Sequence, residues 1–96
     1  MDIDLSFLGL CRRAGKLALG HDAAKLSLRA KRASLLVLAQ DASDRLKEEM
    51  SLMADIPVIY SSFTIQDIST AIGRRAAVFT VEDEKLAVRL QKNKED

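Results

Sequence analysis

Only one cysteine, Cys11, one histidine, His21, and one proline, Pro57, occur among the 96 residues. A single cysteine excludes an intramolecular disulfide and a Cys-based zinc site, and it suits a reducing, cytosolic setting. With His21 alone there is no His-x-x-x-His pair, and neither a metal nor another cofactor is expected. Tryptophan is absent, and Phe7, Tyr60, Phe63 and Phe79 are the only aromatics. That is too few for a module that holds single strands by stacking bases. The longest apolar run, Leu35-Leu36-Val37-Leu38-Ala39, is far too short to cross a bilayer, so no membrane partner is expected. Met1-Asp2-Ile3-Asp4 places acids where a signal peptide needs a basic start, and a cytoplasmic location is expected. Linker-like, low-complexity and repeated segments are also missing, so 1–96 reads as one domain, with 92–96 expected to fray.

Enzymatic signatures are equally scarce. The four glycines stand at 9, 15, 20 and 73, which excludes Gly-x-Gly-x-x-Gly and Gly-x-x-x-x-Gly-Lys phosphate loops. No Gly-x-Ser-x-Gly nucleophile elbow occurs. Cys11 falls on the apolar side of a helix, where a thiol is packing material, and His21 beside Gly20 reads as a loop residue. No catalytic residues and no small-molecule substrate are expected.

What the chain does have is alternation. Ile3, Phe7, Leu10 and Ala14 recur at helical spacing, with Leu8 and Cys11 widening the stripe, and Gly15 ends that helix. Leu17-Ala18-Leu19 reads as a short strand ended by Gly20. A second helix is expected over about Asp22 to Arg32, with Ala23, Leu26, Ala30 and Ala33 on its apolar side. Leu35 to Ala39 has the unbroken aliphatic pattern of a strand covered on both faces. Asp44 to Ala54 returns to helical spacing with Leu46, Met50 and Met53 inward and Lys47, Glu48 and Glu49 outward, and Pro57 opens the strand Val58-Ile59-Tyr60. Thr64 and Asp67 resemble a capping box at the start of a helix that Gly73 ends. Ala76 to Val81 is a fourth strand, and Glu82-Asp83-Glu84 put acids in the first turn of a last helix. The alternation predicts an α/β fold: a three-layer α/β/α sandwich whose four-stranded mixed sheet carries helices on both faces.

The net charge of +1 conceals a division. Residues 1–35 hold seven basic and three acidic residues, a local +4, whereas 36–96 hold eight basic and eleven acidic residues, a local −3. Lys25, Arg29 and Arg32 are spaced i, i+4, i+7 and would form one stripe of the second helix, which His21 extends by a turn. Arg12, Arg13 and Lys16 are close in sequence, and Arg74-Arg75 could add two more cations. The backbone N–H groups after Gly20 would suit a phosphate. A basic stripe of three residues is also an ordinary solvated helix face, so composition alone leaves binding and solvation evenly matched.

The stretch Phe7-Leu8-Gly9-Leu10-Cys11-Arg12-Arg13-Ala14-Gly15-Lys16-Leu17-Ala18-Leu19-Gly20 carries a family resemblance. Leu35-Leu36-Val37-Leu38-Ala39-Gln40-Asp41-Ala42-Ser43, Ile56-Pro57-Val58 and Ala71-Ile72-Gly73 carry it further along the chain. Together they resemble the ribosomal protein L-seven-Ae / L-thirty-e superfamily, most closely its short bacterial YlxQ-like branch, in order and over essentially the whole length. The resemblance implies the same α/β/α sandwich. It also implies RNA binding of the kink-turn type, read by a Gly-x-Asn-Glu-x-x-Lys motif at the start of the second helix.

The matching segment here is Gly20-His21-Asp22-Ala23-Ala24-Lys25-Leu26. Gly20 is kept, Asp22, Ala23 and Leu26 replace the motif's Asn, Glu and Lys, and Lys25 stands one position early. Most of the base-reading half is thus absent, while Lys16, Gly20, Lys25, Arg29 and Arg32 remain for backbone phosphates, which position a protein without reading sequence. By the resemblance, His21, Asp22 and Arg74 complete the candidate RNA-binding set, and structured RNA or ribosomal particles are the expected partners. The competing reading is a protein-interaction module of the same fold with a merely solvated basic face.

Overall fold

The computed structural model describes residues 2–92. Its elements run β1 (Asp2–Ile3), α1 (Leu5–Arg13), β2 (Leu17–Leu19), α2 (His21–Arg29), β3 (Leu35–Leu38), α3 (Asp44–Met53), β4 (Val58–Tyr60), α4 (Ile65–Ile72), β5 (Val78–Val81), α5 (Glu84–Leu90) and β6 (Gln91–Lys92). Four strands form a mixed sheet in the order β2-β5-β3-β4. Only β3 and β4 are parallel; β5 runs antiparallel to both its neighbours, with Leu19 opposite Phe79 and Leu38 opposite Val78.

Alternation along the strands builds two cores, because successive side chains leave opposite faces of a sheet. Leu35, Val37, Phe79 and Val81 pack with Leu8 and Cys11 of α1, Ile68 and Ile72 of α4, and Ala87 and Leu90 of α5. Leu36, Leu38 and Val78 pack on the other face with Ala24 and Leu28 of α2 and Met50 of α3. The arrangement is the three-layer sandwich, with α1, α4 and α5 on one side and α2 and α3 on the other.

Helix ends follow local chemistry. Thr64 and Asp67 form a complete capping box, and Gly73 closes α4 at φ 74°. After α1, the Gly15 N–H donates to the Arg12 carbonyl and the Lys16 N–H to the Cys11 carbonyl, a Schellman end that needs Gly15 at φ 73°. The first helix begins at Leu5, not Ile3, because the Asp4 carboxylate caps it by accepting from the Ser6 N–H. Ile3 pairs with Gln91, and Asp2 with Lys92, in a two-stranded ribbon absent from the sequence reading. Lys92 lies in that ribbon, and the rest of the segment expected to fray, residues 93–96, lies outside the described residues.

The phase and end of α2 both differ from expectation. Its buried residues are Ala24, Ser27 and Leu28, while Leu26 is 60% exposed. The reason is a polar pair in the core: the Thr80 hydroxyl of β5 donates to the Ser27 hydroxyl at 2.8 Å, both side chains fully buried. A hydrogen-bonded serine can occupy an interior position that an apolar-spacing rule leaves unassigned. The helix stops at Arg29 because Lys31 adopts a left-handed φ of 61°, with the Lys31 N–H on the Leu28 carbonyl and the Arg32 N–H on the Ser27 carbonyl. This is a second Schellman end, built without glycine.

Candidate functional site

The backbone at the start of α2 is set by Gly20. At φ 92° and ψ 172° it adopts a conformation that L side chains rarely reach, and it provides no side-chain cap. Its N–H donates to the Val78 carbonyl at 2.8 Å, and its carbonyl receives the Ala24 N–H at 2.9 Å. The N–H groups of His21, Asp22 and Ala23 precede the first intrahelical donor, so the positive end of the helix dipole is presented there.

Val78 opens β5, and the loop leading to it contains Gly73, Arg74 and Arg75. The Gly20–Val78 bond therefore sets the α2 start beside the strand that this basic loop feeds. Arg74 and Arg75 are exposed, and among the described residues neither makes an ion pair. Arg12 is committed elsewhere: its guanidinium donates to the Ile72 carbonyl at the end of α4. That contact ties α1 to the base of the loop.

At the same turn of α2, His21 and Lys25 meet a carboxylate from α3. Glu49 Oε1 lies 3.2 Å from His21 Nε2, and Glu49 Oε2 lies 3.3 Å from Lys25 Nζ. The Lys25 hydrogen bond above all holds the Glu49 carboxyl below the usual range, and the nearby charges of His21 and Lys25 reinforce it. Asp22 is fully exposed, its carboxylate 3.6 Å from His21 Nδ1. Glu49 reads as an outward, solvated residue in sequence, and nothing in the local pattern reveals its two cross-helix partners.

The expected single cationic edge is divided. Lys16 stands at the other end of β2, where its carbonyl accepts the Glu82 N–H at 2.8 Å. Arg32 joins that end: it lies beyond α2 rather than on its stripe, and its Nε is 3.4 Å from Glu82 Oε2. Lys31 pairs with Asp55 at 3.0 Å. Arg29, exposed in the last turn of α2, has no ion pair among the described residues and lies about 12 Å along the helix from His21. Gly20, His21, Asp22 and Lys25 thus cluster, with Arg74 in the loop that feeds the adjoining strand, while Lys16, Arg29 and Arg32 lie toward the opposite end.

Cys11 is fully buried, and burial pushes its thiol pKa up, which suits a packing role. Among the described residues no cluster of His, Cys, Asp or Glu could hold a metal ion, and no helix is long and apolar enough to cross a membrane.

No family model matches the chain. Individual proteins do. The chain is 30% identical over 86 residues to the RNA-binding protein YlxQ of Enterococcus faecium, covering 86% of this chain and 82% of that one. A Bacillus halodurans protein of unknown function superposes with a TM-score of 0.78 at 29% identity, over 88% of this chain and 93% of its own. The Giardia lamblia 15.5kD RNA-binding protein superposes with a TM-score of 0.71 over 88% and 76% of the two chains; at 15% identity this is a likeness of fold. By the identity and coverage of the Enterococcus faecium relative, the chain belongs to the YlxQ-like bacterial branch of the ribosomal protein L-seven-Ae / L-thirty-e superfamily.

Proposed function

We propose that this protein binds structured RNA without catalysing a reaction, contacting it along the start of α2 and the loop Gly73-Arg74-Arg75-Ala76. The observation that carries the reading is the Gly20–Val78 hydrogen bond, which brings an uncapped helix N-terminus beside a strand fed by two arginines that make no ion pair among the described residues. Backbone amides and guanidinium groups are both suited to phosphate oxygens. The name of the Enterococcus faecium relative, an RNA-binding protein, supports the same reading.

Specificity follows from what the α2 segment offers. Asp22, Ala23 and Leu26 supply neither the amide, the acceptor nor the cation of the family motif, so most contacts are to phosphates and discrimination among folded RNAs is relaxed. Lys16 and Arg29, farther off, contribute to the field that steers RNA toward the molecule. Ribosomal particles in the cytoplasm are the natural source of such RNA, and a buried unpaired Cys11 suits that reducing setting.

A gel-shift titration with a kink-turn RNA and a plain duplex, repeated across salt concentrations, tests the proposal. Log affinity should fall with log salt at a slope of about 0.7 to 0.9 per phosphate engaged for both RNAs, with no more than a few-fold preference for the kink-turn RNA. Co-sedimentation with ribosomal particles should be lost after RNase treatment. One observation favours the second reading, a protein-interaction module: Leu26 and Leu52 are 60% and 80% exposed on α2 and α3. Absence of RNA binding at low salt would select it.

A further inference from the structure

The proposed interface contains an anion of its own. Glu49 divides its two oxygens between His21 Nε2 and Lys25 Nζ, at 3.2 and 3.3 Å, and so occupies the donors that a phosphate would otherwise meet at the first turn of α2. Asp22 faces the other nitrogen of the same imidazole. The remaining acid nearby in sequence, Glu48, is exposed and makes no ion pair among the described residues. Lys25 is the more enclosed partner, its side chain 26% exposed against 39% for Glu49 and 43% for His21, so the clasp lies at the surface, open to salt and to a competing phosphate.

A carboxylate and a phosphate compete for the same N–H donors. We infer that Glu49 is an internal competitor for RNA phosphate, so that RNA engages Lys25 and His21 only by displacing it. The inference rests on the RNA reading above and adds to it a residue that sets which RNA is admitted. A plain duplex offers phosphates alone and must pull the clasp open with them. An RNA whose fold also reaches Arg74 and Arg75 has further contacts to offset that displacement. Glu49 thereby suppresses indiscriminate backbone binding on a surface that otherwise reads little sequence.

The test compares the wild-type chain with Glu49→Gln and Glu48→Gln in fluorescence-anisotropy titrations against a plain RNA duplex and a kink-turn RNA. Both variants change the net charge equally, but only the first opens the clasp. Glu49→Gln should bind the duplex about three- to tenfold more tightly at low salt and steepen the log–log salt slope by about one. Glu48→Gln should change affinity by less than about twofold. Equal gains in the two variants would reduce the effect to net charge and overturn the inference. Unchanged or weaker binding by Glu49→Gln would overturn it too, while wild-type binding left the RNA reading standing. If none of the three chains bound either RNA at the lowest salt, the RNA reading would fail and the competitor with it.

Discussion

The Gly20 amide donates to the Val78 carbonyl at 2.8 Å while Gly20 itself holds φ 92° and ψ 172°. An added Cβ would meet nothing within 4 Å, so the demand for glycine is one of backbone conformation and not of space. Gly20→Ala should therefore cost about 1–3 kcal/mol in urea unfolding. The α2 start would turn away from β5, and affinity for RNA should fall with it.

The buried Ser27–Thr80 pair gives a second expectation. Ser27→Ala leaves the Thr80 hydroxyl without its acceptor and should destabilise by about 1–3 kcal/mol. The double variant Ser27→Ala with Thr80→Val removes both polar groups and should recover most of that loss. A double-mutant cycle in urea reads the difference. Strictly additive losses would mean that the two hydroxyls do not act as a pair.

Lys31 ends α2 in a left-handed conformation that costs a residue with a Cβ about 1–2 kcal/mol. Lys31→Gly relieves this but loses the exposed ion pair with Asp55 and adds chain entropy to the unfolded state. The net expectation is a gain of up to about 1 kcal/mol, visible as a higher Tm.

Asp2 fastens the N-terminal ribbon to the segment after β4. Burial alone pushes its pKa up, but hydrogen bonds from the Ser62 hydroxyl, the Ile3 and Ser62 amides and the Ser61 hydroxyl together outweigh this and hold it below the usual carboxylate range. A lowered folded-state pKa means that the stability Asp2 contributes is full above its unfolded value and lost as pH falls through the folded one. Asp2→Asn should lower stability at neutral pH and flatten the acid limb below about pH 4. Urea midpoints of both chains across that range check it.

Much of this arrangement is legible in sequence, and the exceptions share a cause. The unbroken Leu35–Leu38 run, the Thr64/Asp67 box and the glycines at 15 and 73 are local signals, and each one marks the element or end it predicts. The β1–β6 ribbon escapes because two-residue strands have no periodicity. The phase of α2 escapes because Ser27 is made an interior residue by Thr80, 53 positions away. Its early end escapes because Lys31 takes the conformation usually flagged by glycine. Clustering His21 and Lys25 with Glu49, and parting Arg32 from them to Glu82, are likewise decided by elements distant in sequence.

The most direct test of the account maps the contact edge itself, by amide chemical-shift changes in the labelled protein on titration with a kink-turn RNA. Shifts should concentrate at Gly20 to Lys25 and Gly73 to Ala77 and be small around Lys16, Arg32 and Glu82. Shifts concentrated at the Lys16–Glu82 end, or none at all at low salt, would contradict it.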